Sequence, residues 1–129
     1  MNDRIFQQVF DAISRFLPDR WSQVVFFAGY TEGSYSMKFY AREKDSPYTD
    51  CFHMPGATVP ELIKTFAQID GFIKNEKGID SQPWTIFTMI VGEDGKMRAD
   101  FEYEDHSQDM LTYEAQWKER YLSSPTVFG

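Results

Sequence analysis

The chain of 129 residues has one cysteine and two histidines, and no apolar run nears the roughly 18 residues of a membrane-spanning helix. A lone cysteine forms no intrachain disulfide, which excludes a disulfide-framed secreted domain. Basic residues are scarce, 13 against 20 acids, for a formal charge of −7. Acid of that excess repels phosphate, so no nucleic-acid partner is expected. The opening MNDRIFQQVFDAISRF scatters charge through the segment and lacks a signal peptide's uninterrupted apolar core. No Gly-rich phosphate loop, Walker motif, G-x-S-x-G elbow or H-E-x-x-H helix occurs. These absences predict a cytoplasmic protein with no membrane partner and no cofactor.

What is present is apolar and ring-rich. The chain is 42% hydrophobic and 17% aromatic, too much for a disordered segment, and its length suits a single domain over 1–129. Ile5, Phe6, Val9, Phe10, Ile13, Phe16 and Leu17 recur at helical steps. They predict an amphipathic helix over 3–17, capped by Asn2 or Asp3 and ended by Pro18. WSQVVFFAGY at 21–30 reads as a strand. After the turn at 31–33, Tyr35, Met37, Phe39 and Ala41 alternate with polar neighbours, completing a hairpin. The hairpin accounts for both Gly29 and Gly33, and 48–54 is a third strand. Thr58-Val-Pro-Glu61 has capping-box spacing and opens a second helix, carried by Leu62, Phe66, Ile69 and Ile73 with Ile63 beside them, to a stop near Gly78. A strand over 84–91, apolar on both faces, belongs inside the sheet. Gly95 suits the tight turn that follows. The return strand places Met97, Ala99, Phe101 and Tyr103 on one face and Arg98, Asp100, Glu102 and Glu104 on the other, nearer an edge. A third helix over about 109–122 lines Met110, Leu111, Tyr113, Trp117 and Tyr121 along one side, before an irregular tail at 123–129. The order α-β-β-β-α-β-β-α predicts an α+β domain, an antiparallel sheet of about five strands packed with three helices.

The acid is concentrated. Residues 93–119 hold nine acids and three bases, a net −6, while 1–92 carry only −2. Cys51 and His53 would share one face of a strand, with His106 the only other histidine. Zinc takes three or four such ligands. A small apolar Cys and a half-exposed His are the simpler reading, and positions two apart on a strand stand too far apart for a base to reach a thiol. Asp100, Glu102 and Glu104 form a carboxylate row that could serve glycoside hydrolysis or hold a hard cation. More often such a row is solvated surface on an edge strand. It can also address a basic protein, because patches of one sign steer association with the opposite sign. Tyr103, Tyr113 and Trp117 interleave with these acids, with Tyr103 and Trp117 expected to be largely core.

The segments Trp84-Thr-Ile-Phe-Thr, Glu93-Asp-Gly-Lys96, Asp100-Phe-Glu-Tyr-Glu-Asp105 and Gln116-Trp-Lys-Glu-Arg-Tyr-Leu122 occur in an order and spacing that resemble the YezG-like immunity proteins, bacterial antitoxins. After Leu122 the chain departs from that pattern, with Ser123-Ser-Pro where a Gly-led continuation is usual. The resemblance implies a small non-enzymatic α+β protein that binds and neutralises a cognate toxin domain, often a nuclease carried by a contact-delivered protein. The matched exposed positions are Glu93, Asp94, Asp100, Glu102, Glu104 and Asp105. Trp84, Phe101, Trp117 and Tyr121 match as core. With Asp109 added from the charge pattern, these acids are the expected partner-binding residues for a basic toxin domain, in a monomer or weak homodimer. The alternative is a small enzyme or a metal- or ligand-binding domain that uses the Asp100, Glu102 and Glu104 face.

Overall fold

A computed structural model describes residues 3–77 and 84–122. Its elements are α1 (Asp3–Ser14), β1 (Trp21–Thr31), β2 (Ser34–Glu43), β3 (Thr49–Asp50), a 3-10 turn (Cys51–His53), α2 (Val59–Lys77), β4 (Ile86–Gly92), β5 (Met97–Glu102) and α3 (Met110–Leu122). Asp3 is the first residue of α1, and the other expected cap, Asn2, the stop near Gly78 and the tail at 123–129 lie outside the described residues. The five strands form one antiparallel sheet in the order β3-β2-β1-β4-β5. This is the predicted α+β architecture, with β4 inside the sheet and β5 at its edge.

Period-two alternation splits the sheet into two apolar faces. Val24, Phe26, Ala28, Met37, Phe39, Phe87, Met89 and Val91 pack with Ile5, Val9 and Ile13 of α1 and Leu62, Phe66, Ile69 and Ile73 of α2. Val25, Phe27, Tyr40 and Ile86 point the other way, onto Tyr113 and Trp117 of α3. The sheet is therefore sandwiched, with α1 and α2 on one side and α3 on the other. α1 stops earlier than its apolar stripe: Phe16 and Leu17 bond back three residues to Ile13 and Ser14, and Phe16 stays in the core on that tightened turn.

The Thr58 box caps α2 through a variant geometry. The Glu61 amide donates to Thr58 Oγ1, while that hydroxyl donates to the Glu61 carboxylate at 2.9 Å. Gly33 and Gly95 take φ of +73° and +84° in the two hairpin turns, conformations that a Cβ disfavours. Gly29 differs from expectation. It lies within β1, where a Cβ would come within 2.9 Å of the Phe27 ring and 3.2 Å of the Met110 methyl, so close approach explains it.

The third strand is a correction. Only Thr49 and Asp50 pair with β2, because the Asp50 carboxylate caps the next turn, accepting from the Phe52 amide at 2.8 Å and contacting His53 Nδ1 at 2.9 Å. The 3-10 turn parts Cys51 from His53: the thiol is buried, and the imidazole stands on the surface. They share no face. Burial also pushes the Cys51 thiol pKa up, away from the reactive thiolate.

Candidate partner-binding surface

The charged segment is built on β5 and the two loops at its ends. Antiparallel alternation points Met97, Ala99 and Phe101 toward α1 and α2, and Arg98, Asp100 and Glu102 toward α3. That second face is partly covered: Arg98 is exposed, while Asp100 and Glu102 are half-buried. The Tyr121 hydroxyl donates to Asp100 Oδ2 at 2.7 Å, and the Tyr113 hydroxyl donates to Glu102 Oε2. Arg120 Nη1 approaches the same Glu102 oxygen at 3.4 Å, and Arg98 lies 3.8 Å from Asp100. Two members of the expected carboxylate row thus bind α3 to the sheet edge.

The other five acids are exposed, in two groups. Glu93 and Asp94 stand at the β4–β5 turn, where Asp94 Oδ1 accepts from the Lys96 amide at 3.0 Å. Glu104, Asp105 and Asp109 occupy the loop that leads into α3. Asp105 accepts from the Ser107 hydroxyl and amide, and those bonds hold its carboxyl below the usual range. Asp109 precedes the first turn of α3, its carbonyl accepting from Tyr113 N–H and its carboxylate meeting His106 Nδ1 at 3.0 Å. His106 is buried and packs on Tyr113 with the rings tilted by 32° and their centres 4.1 Å apart. The loop is therefore anchored to α3. A six-residue strand separates the groups by roughly 20 Å.

The interleaved aromatics divide differently from expectation. Trp117 is core, but Tyr103 is 56% exposed because the chain leaves the strand after Glu102. Leu111 of α3 is 85% exposed and Ile63 of α2 is 61% exposed, both one position off the buried stripes of their helices. Sequence reading missed the hydroxyls of Tyr113 and Tyr121. Their eight-residue spacing, two turns and a little more of one helix, was the available signal.

Tyrosine hydroxyls closing on carboxylates make the fold sensitive to alkali. Burial and the bond to Glu102 raise the Tyr113 pKa, burial and the bond to Asp70 raise that of Tyr30, and Tyr40 is pushed up by burial to about 12. Above pH about 10 the unfolded tyrosines lose protons that the folded ones keep, so stability falls as pH rises, by up to about 1.4 kcal/mol per pH unit for each such group. Urea midpoints are expected to hold level between pH about 7 and 9 and to drop beyond about 10. Tyr113→Phe should lower the midpoint at pH 8 yet flatten the alkaline decline. An equally steep decline in that variant would rule out Tyr113 as a contributor.

Such a helix-covered antiparallel sheet, with acid displayed at both ends of its edge strand, is a small α+β fold. More specifically, the family described as immunity protein YezG-like matches residues 2–125, nearly the whole chain, and the protein belongs to that family. No curated protein matches the chain. Among the described residues no helix is long and apolar enough to cross a membrane, and no group of three or more His, Cys, Asp or Glu side chains is placed to hold a metal ion.

Proposed function

We propose that the chain is a cytoplasmic, non-enzymatic immunity protein that binds one cognate toxin domain and blocks it, the toxin being a basic nuclease of a contact-dependent or secreted system. Membership of the immunity family carries this reading. The charge distribution supports the nature of the partner: a nuclease presents Lys and Arg to phosphates, and displayed carboxylates can occupy that surface with steered association. Glu93, Asp94, Glu104, Asp105 and Asp109 offer direct contact. Asp100 and Glu102 add charge between them while holding α3. The use of those two carboxylates on tyrosine hydroxyls weighs against a metal-binding or catalytic role for their face.

The test is co-expression. The toxin domain encoded beside this chain should arrest growth alone, and co-expression should restore it while the purified pair elutes as a 1:1 complex. Rescue by a variant that no longer binds the toxin would overturn the reading.

A further inference from the structure

The outer edge of β5 carries a charge pattern that fits itself. At the β4–β5 interface the Lys96 carbonyl accepts from the Gly92 amide at 3.0 Å, and the Glu102 carbonyl accepts from the Thr85 amide at 2.8 Å. Backbone groups alternate in direction along a strand, so Lys96, Arg98, Asp100 and Glu102 turn theirs toward β4. Met97, Ala99 and Phe101 turn their N–H and C=O groups outward. β5 ends the sheet, and among the described residues no strand pairs with that edge. It contains no proline, one of the devices that blunt an exposed edge, and its charges are of both signs.

Read outward from Ala99, the signs are antisymmetric: Lys96 and Arg98 on one side, Asp100 and Glu102 on the other. We propose that β5 pairs antiparallel with β5 of a second copy of this chain about a two-fold axis through Ala99, giving a continuous ten-stranded sheet. In that register the two Ala99 residues exchange both backbone bonds, and Met97 does so with Phe101 of the second copy. Lys96 falls opposite Glu102 and Arg98 opposite Asp100, each twice by symmetry. Both charge pairs occupy non-hydrogen-bonded positions across the new seam, where side chains approach most closely.

Each neighbouring register keeps two opposite-sign pairs but adds a like-charge pair at its axis, whereas the Ala99 register places no like charges opposite each other within β5. Moving the axis to Arg98 sets Arg98 against itself, and moving it to Asp100 does the same to Asp100. Larger shifts oppose Lys96 to Arg98 or Asp100 to Glu102. The partly buried Met97 and Phe101 gain apolar cover on the α1–α2 side, while Asp100 and Arg98 exchange a 3.8 Å contact within the strand for partners across the seam. Past the strand, the same register sets Asp94 against Glu104 of the second copy. The ladder therefore stops where β5 stops, and the short seam makes a weak dimer. The proposal does not rest on the toxin reading, and its seam lies along β5 between the two acidic groups offered to the toxin.

Sedimentation velocity on the full chain is expected to show a monomer–dimer equilibrium with Kd between about 10 and 500 μM. Lys96→Glu with Arg98→Glu, both on exposed side chains, should raise Kd at least about tenfold by placing like charges opposite each other. Ala99→Pro removes an outward N–H that β4 does not use and should do the same. Far-UV circular dichroism and urea midpoints tell loss of pairing from loss of fold, and the charge variant decides if the proline variant unfolds. A chain that stays monomeric to about 1 mM overturns the proposal. So does a dimer whose Kd a folded charge variant leaves unchanged.

Discussion

Trp117→Ala is expected to cost about 4 kcal/mol and lower Tm by about 12 °C, the largest stability loss of any change on α3. Trp117 is 2% exposed and its ring lies 4.9 Å from Phe27, 5.7 Å from Tyr40 and 5.3 Å from Tyr121. Its Nε1 donates to the buried Thr88 hydroxyl at 2.9 Å. Truncation to alanine therefore removes the main apolar anchor of α3 and leaves Thr88 without that donor. Trp117→Phe separates the two contributions. It keeps most of the ring and forfeits the hydrogen bond, for about 1–2 kcal/mol. Leu111→Ala on the outer side of the same helix should stay within about 0.5 kcal/mol. Chemical denaturation of the three variants gives the comparison, and a Trp117→Ala loss under about 1 kcal/mol would mean that α3 is not docked as described.

That result bears on function because α3 positions the second acidic group. Tyr113 bonds Glu102 at the end of β5 and packs against the His106 ring, and His106 in turn meets Asp109. Releasing α3 should therefore free the loop at 104–109, so Trp117→Ala is expected to weaken toxin binding although it changes no displayed acid.

Local periodicity carried most of the fold. The stripes of α1 and α2, the Thr58–Glu61 box, the two hairpin turns and the alternation of β5 each depend on residues a few positions apart, and each formed close to the expected place. The third strand failed because a side chain competed with the ladder: Asp50 caps the following amides and turns the backbone away. The candidate surface was less legible for a related reason. Alternation says that Arg98, Asp100 and Glu102 share a face, but what covers that face depends on contacts with residues 11–21 positions distant. A row of carboxylates is solvated in isolation, and two tyrosines on α3 make this one part of the packing. Tyr103 and Leu111 show the same limit from the other side, since apolar character alone does not tell where a strand ends or which flank of a helix is buried.

Reversing Glu93, Asp94, Glu104 and Asp105 together to lysine is expected to slow association with the cognate toxin domain about 10- to 100-fold at low salt. All four are exposed and lie in loops outside β5, so the core should tolerate the change, although the turn bonds that Asp94 and Asp105 accept are lost and urea midpoints must show that the variant is folded. Long-range steering is screened beyond about 10 Å at 0.1 M ionic strength, so the association rates of wild type and variant should converge as salt rises. Reversing one group at a time then measures the footprint. A toxin that spans the roughly 20 Å between the groups loses rate in both half-variants, whereas a narrower one responds to a single end. Asp100→Asn and Glu102→Gln provide the contrast. Each removes one charge but chiefly weakens an acceptor for tyrosine, so its effect should fall on the urea midpoint more than on the association rate. Stopped-flow association at several salt concentrations distinguishes these cases. An unchanged on-rate in the quadruple reversal would sink electrostatic steering by these acids and move the toxin contact to another part of the surface.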